Sequence, residues 1–314
     1  MTLEKVVVVT RKTRLEGLIE RFNSRAQARF YLDHSGGDFA DYEREDATYR
    51  RAVDTVRRTL DVGLKLQAVD RSLVPTMLFT QNDLIVAVGQ DGLVANTAKY
   101  VGAQPIVAVN PDPERFDGIL LRYAPEDARA AVLSLLEGRA KTRDVTLAEA
   151  ALDDGQRLLA FNDLFIGART HVSARYRIAF GGRSEPHSSS GVLVSTGAGS
   201  TGWLRSVVTG ASGISEAVTG LAEVREARER YRFDWEAPYL LFTVREPFVS
   251  RVSSAELVYG RIAAGETLEV VSRMPQGGVI FGDGVERDFL EFNSGAVARI
   301  GVSDRHLNLV VAAS

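Results

Sequence analysis

Five apolar residues at 84–88 run straight into Gly89, Gln90, Asp91 and Gly92, and a helical pattern follows over 94–101. A buried strand, a tight glycine loop and a helix in that order make an α/β phosphate-binding design. Gly89 and Gly92 let the backbone approach an anion closely, and the helix start behind them offers unpaired N–H groups and a favourable dipole. Asp91 is out of place as a phosphate ligand, because a carboxylate repels phosphate. Beside a substrate hydroxyl or a metal ion it makes chemical sense. The structural alternative is that Asp91 only caps the helix.

The surroundings of this loop alternate between strand and helix. An apolar run at 6–9 is followed by Leu15, Leu18, Ile19 and Phe22 at helical spacing, and a long amphipathic helix fits 41–60. Strands are expected at 64–69, 84–88, 106–109 and 119–121, and a further helix at 126–136. This predicts a doubly wound α/β domain over residues 1–140 that carries the Gly-Gln-Asp-Gly loop. After Gly138 the period changes to two. Strands at 142–152, 157–166, 172–180, 192–195, 239–244, 256–259, 267–271, 279–281, 297–302 and 307–312 predict an antiparallel β-rich, sandwich-like domain over 141–314. A charged helix at 215–232 interrupts it, and the last strand ends it with no segment returning to the first domain. The expected fold class is therefore α/β plus all-β.

Composition narrows the chemistry. A chain of 314 residues has room for two cores of ordinary size. It has no cysteine, which removes disulfides, thiolate zinc sites and a cysteine nucleophile. His34, His171, His187 and His306 have no metal-ligand spacing. A net charge of −3 argues against a nucleic-acid partner. No apolar run reaches the length of a membrane span, and the first residues do not resemble a signal peptide, so the expected location is cytoplasmic, with no membrane partner.

Three further stretches differ from their surroundings. Asn162 and Asp163 interrupt an apolar strand, as a turn, a bulge or a site would. Ser195, Thr196, Ser200 and Thr201 lie with Gly197 and Gly199 between a strand and an apolar run, which suits an anion or ribose cradle or a capped helix start. Asp283 stands between two glycines, as in a hairpin turn or a binding loop.

Taken in this order, the four stretches resemble the NAD kinase family over roughly residues 84–300. Asp91 matches that family's aspartate that acts on the acceptor hydroxyl, and Asn162 its substrate-binding asparagine. Thr196, Gly199, Ser200 and Thr201 match its Ser/Thr-rich segment, and Asp283 with Gly284 its last element. The resemblance implies phosphoryl transfer from ATP to the 2′-hydroxyl of NAD, with Asp91 as the catalytic base. Gly89, Gln90 and Gly92 would hold donor phosphates, and Asn162, Asp163, Ser195 to Thr201 and Asp283 would bind nucleotide in a cleft between the domains. It also implies Mg²⁺ or another divalent cation on the phosphates, with no protein metal ligands, and a homo-oligomer, dimer or tetramer. Several positions depart from the pattern. Gln90 replaces a glycine and Leu93 a threonine. Asp163 is shorter than the family's glutamate, Ala198 and Trp203 replace a hydroxyl residue and a tyrosine, and Ser190 replaces an aspartate.

Other readings stay open. The same fold would serve a non-catalytic nucleotide sensor, or a kinase for a different nucleoside or sugar hydroxyl. Residues 197–202 also spell Gly-x-Gly-x-x-Gly after a strand, so a Rossmann-type NAD oxidoreductase is a third possibility. No Walker-type phosphate loop occurs.

Overall fold

The computed structural model describes residues 3–221, 223–224, 230–285 and 288–311. The chain divides into two compact units, one of Met1–Arg143 with Leu307–Ser314 and the other of Asp144–His306. The first unit is built on parallel strands β1 (Lys5–Thr10), β2 (Lys65–Asp70), β3 (Asp83–Val88) and β4 (Pro105–Val109), in the order β2-β1-β3-β4. Val6 to Val9, Leu84 to Val88 and Ile106 to Val109 are fully buried. Such unbroken apolar runs are stable only in a parallel sheet covered on both faces.

The helices of this unit are α1 (Arg14–Phe22), α2 (Arg25–Ser35), α3 (Phe39–Thr59), α4 (Asp91–Ala98) and α5 (Ala128–Leu136). On one face, Tyr49, Val56 and Leu60 from α3 and its end pack with Ala128 and Val132 of α5 against Val6, Val8, Leu84, Val86 and Val107. The pattern search misses α2, because only Ala28 and Leu32 of that helix are buried and a single turn-to-turn contact leaves little periodicity. The expected strand at 119–121 does not form. Leu120 and Leu121 are buried there, but the backbone is irregular, and the N–H groups of Ile119 and Leu120 are taken by a side chain rather than by a ladder.

The second unit has two layers. Six antiparallel strands run in the order β12-β11-β10-β7-β14-β15: β12 (Tyr259–Ala263), β11 (Tyr239–Val244), β10 (Val192–Ser195), β7 (Asp163–Ala168), β14 (Gly278–Gly282) and β15 (Phe289–Glu291). The other layer comprises β5 (Lys141–Leu152), β6 (Arg157–Ala160), β8 (Ala174–Phe180), β9 (Arg183–Ser189), β13 (Leu268–Ser272) and the first part of β16 (Val297–Val311). Leu164, Ile166, Val192, Val194, Phe242 and Ile280 from the first layer meet Ala150, Tyr176, Ile178, Val270 and Ile300 from the second in one apolar core. This is the sandwich that the alternating pattern predicts.

Several boundaries differ from the sequence reading. The expected strand over 157–166 is two strands, β6 and β7, with Phe161 and Asn162 turning between them. The strand expected at 256–259 forms at β12 instead, and β9 and β15 were not anticipated; β9 carries Pro186 and three serines, a poor strand composition. The helix expected at 215–232 is α6 (Trp203–Thr219), closed by Gly220 in the left-handed region; residues 222 and 225–229 lie outside the described residues. α6 joins β10 to β11, and those strands are antiparallel neighbours, so the Gly-x-Gly-x-x-Gly run does not open a β-α-β unit. The Rossmann reading fails there.

The end of the chain is a further correction. The two strands expected near 297–302 and 307–312 are one, β16, with residue 312 outside the described residues. Its last part belongs to the first unit, where Asn308 and Leu309 pair in parallel with Pro105 and Ile106 of β4. Leu307, Leu309 and Val310 are buried there, so the open edge of β4 is covered by the returning strand.

Tyr49 ties the strand ends of the first unit together. Its hydroxyl donates to the Val88 carbonyl at 2.9 Å and accepts from the Arg11 N–H at 2.8 Å, and burial pushes its pKa up to about 12. Tyr49→Phe leaves both backbone groups unpaired, and the expected loss of stability is about 1–3 kcal/mol, read by urea unfolding. An unchanged unfolding midpoint would mean that water replaces the hydroxyl.

Candidate functional site

Three of the four stretches singled out in the sequence come together in the second unit, and the fourth stands at the C-terminal end of β3 in the first. In the first unit Gly89 donates its N–H to Val109 at 3.2 Å. A Cβ on Gly89 would lie 2.7 Å from the Leu93 Cδ2, so a larger residue here would make the Leu93 side chain move aside. Gly92 is exposed, with open space where a Cβ would point.

Asp91 does not cap the helix. Gln90 occupies the N-cap position without a side-chain capping bond, and Asp91 is the first helical residue. Its carboxylate turns away and accepts backbone N–H groups from Leu120 at 2.8 Å and Ile119 at 3.2 Å, one on each oxygen. A carboxylate has about four lone-pair positions, so two bonds leave capacity to accept a proton from a hydroxyl. The group is half-buried, within reach of a small molecule. Sequence reasoning missed Ile119 and Leu120, since backbone donors carry no side-chain signature. The nearby Asp117-Gly118 pair was the available turn signal, and Gly118 is indeed at φ 61°.

In the second unit, Asp283 organises the turn between β6 and β7. It sits at φ 57°, and its carboxylate accepts three consecutive N–H groups, from Asn162 at 2.6 Å, Phe161 at 3.1 Å and Asp163 at 3.4 Å. Its own N–H donates to Asp163 at 2.9 Å. Thr196 holds the same turn from the opposite side. Its N–H donates to Asn162 at 2.9 Å, and its hydroxyl donates to Phe161 at 2.5 Å and accepts from Gly199 at 3.2 Å. Gly199 is pressed against this backbone, for a Cβ there would lie 2.2 Å from the Asn162 carbonyl. Ser200 donates to the Gly197 carbonyl at 2.7 Å. The buried hydroxyls of Thr196 and Ser200 are thus engaged within the protein, while Thr201 is exposed.

Two side chains of this cluster remain uncommitted. The Asn162 amide is half-exposed and has no hydrogen-bond partner among the described residues. Asp163 is 7% exposed, and its Oδ1 has no partner among the described residues. Burial pushes the Asp163 carboxyl up to about 7; the Ser195 hydroxyl, paired across β10 and β7, pulls it back, and the neighbouring Asp283 charge raises it again.

No protein-family model matches the chain. The rat protein named NAD kinase 2, mitochondrial, is 24% identical over 95% of this chain and 85% of its own length. Its human counterpart is also 24% identical over 95% of this chain, and 82% of its own length is covered. An NAD kinase from Halobacterium salinarum is 34% identical over 41% of this chain and 48% of its own. Among solved structures, yeast NADH kinase complexed with NADH aligns at a TM-score of 0.59 and 15% identity, over 100% of this chain and 84% of that one. An NAD kinase from Archaeoglobus fulgidus in complex with ATP aligns at 0.56 and 16% identity, over 97% and 92%. Over nearly its whole length the chain is similar to NAD kinases, at low sequence identity.

Asp163 places a carboxyl deep beside Asp283. The stability cost follows from the shift. Below the ordinary value of 3.8 the folded and unfolded chains both hold the proton. Between there and about 7 the unfolded chain loses it and the folded chain keeps it, so stability falls through that window and levels off above it. Asp163→Asn cannot ionise. Relative to the parent it should gain stability as pH rises through the same window, reaching on the order of 2–4 kcal/mol at pH 8 in urea unfolding. A pH-independent difference would show that Asp163 does not titrate there.

Proposed function

We propose that the protein is an NAD kinase that transfers the terminal phosphoryl group of ATP to the 2′-hydroxyl of NAD. The observation that carries this reading is Asp91: a half-buried carboxylate at a strand-to-helix glycine loop, oriented by two N–H groups and with lone pairs to spare. The acceptor oxygen attacks the terminal phosphorus, the bond to the bridging oxygen breaks, ADP leaves, and the hydroxyl proton passes to Asp91. Such transfer depends mostly on positioning and charge stabilisation, so few catalytic side chains are needed. Backbone at Gly89, Gln90 and Gly92 holds donor phosphates beside the start of α4. Asn162 binds the acceptor through its side-chain amide, with the buried Asp163 carboxyl behind it, on a turn held by Ser195, Thr196, Gly199, Ser200 and Asp283; Thr201 adds an exposed hydroxyl.

The described residues contain no cluster of three or more acidic or histidine side chains suited to a metal. Mg²⁺ or another divalent cation would be carried on the nucleotide phosphates, where it would supply charge neutralisation. A dimer or tetramer and a cytoplasmic location belong to the same proposal. No helix among the described residues is long and apolar enough to cross a membrane. The rat and human relatives are named as mitochondrial, so the location is tested by following the tagged chain.

Purified protein with ATP and Mg²⁺ is expected to convert NAD to NADP, read with an NADP-specific dehydrogenase. Tight nucleotide binding without product would favour the sensor reading, and product from another nucleoside alone would reassign the acceptor. Asp91→Asn should lower kcat per folded molecule by about 10² to 10⁴, with KM changed far less. It should also cost about 1–3 kcal/mol of stability, because the new amide NH₂ faces one of the two backbone N–H groups. A kcat within threefold of the parent would rule out Asp91 as the base.

A further inference from the structure

Asp91 takes its direction from the irregular segment that leaves β4, and that segment is held in turn at two points. Near its root, Asn110 is buried; its amide donates to Phe116 at 2.9 Å and its oxygen accepts from Asp112 at 3.1 Å. Gly118 lies directly against this amide, because a Cβ there would sit 2.7 Å from it. At the outer end, Arg115 reaches across to α3 and donates to both oxygens of Asp41, at 3.0 and 2.5 Å. Asp41 also accepts from Arg14 at 2.9 Å. Between α3 and the segment lies an open hollow of about 710 Å³ lined by Asp41, Arg44, Thr48, Arg51, Pro111 and Arg115. The Arg115 to Asp41 bridge joins the two sides of that hollow, while Pro111 at the root of the segment is buried.

We propose that Arg115, clamped by Asp41, is a positioning residue: it holds the segment so that the Ile119 and Leu120 N–H groups aim at Asp91. The proposal rests on the reading of Asp91 as the catalytic base. An exposed ion pair contributes little to global stability, but a two-pronged guanidinium–carboxylate pair fixes orientation. Asp41 is held down to about 2, by Arg115 first and Arg14 next, so the clamp stays charged at any working pH. A released segment would withdraw both N–H donors and leave the Asp91 carboxylate without the contacts that set its direction.

The test uses the full chain in two measurements, amide hydrogen exchange at Leu120 and the separate effects on kcat and KM. In Arg115→Ala the Leu120 amide should exchange about tenfold faster while the melting temperature stays within a few degrees. Its kcat should fall roughly tenfold with KM for both nucleotides within about twofold. Arg115→Lys, which keeps a cation on Asp41, should recover most of each change. A loss that Arg115→Lys does not recover, or one that raises KM as much as it lowers kcat, would be merely structural and would overturn the proposal. So would unchanged exchange and kcat in Arg115→Ala, in a protein that Asp91→Asn inactivates. Faster exchange in Arg115→Ala together with an active Asp91→Asn protein would instead remove the base reading while leaving the clamp in place.

Discussion

A turn inside an apolar strand leaves consecutive backbone N–H groups without ladder partners, and in the second unit the Asp283 carboxylate takes three of them. The rest of that cluster depends on this interaction. With the N–H groups at 161–163 facing Asp283, the Phe161 and Asn162 carbonyls face the other way and are closed by Thr196. The Ser/Thr-rich segment is then drawn in until only glycine fits at 199. The Asn162 side chain projects from the turn, free for a ligand, because the backbone around it is saturated.

The same arrangement carries an electrostatic cost. Asp283 must be near the turn to bind its N–H groups, and Asp163 is part of that turn, so two carboxyls share a buried site. Burial and the neighbouring charge raise Asp163 to about 7, with one oxygen unpaired among the described residues. A chain selected for stability alone would place an amide or an apolar residue at 163. Retaining an acid there fits the general trade in which binding sites keep groups that the fold would be more stable without.

The first unit follows a different logic. Its acid is displaced from the expected capping role, since Gln90 starts the helix and Asp91 turns to a neighbouring segment. A cap would have pointed the carboxylate back along its own helix and used its lone pairs there. Held from outside by two amides, it stays at the surface and retains capacity for a further proton.

The sequence by itself determined the architecture and the location of the unusual residues. Apolar runs at 6–9, 84–88 and 106–109 point to strands buried on both faces, and alternation after residue 140 points to antiparallel strands, of which Val192–Ser195 is nonetheless buried on both faces. Glycine, aspartate and asparagine interrupting such runs at 89–92, 162–163 and 283–284 stand out for the same reason. Tertiary structure alone decided what those residues touch. That Asp283 reaches back to residues 161–163, that Asp91 faces 119–120, and that the chain end pairs with β4 are contacts between segments far apart in sequence, made largely by backbone groups. Every residue carries those groups, so no side-chain pattern announces which of them will be left unpaired and which carboxylate will find them.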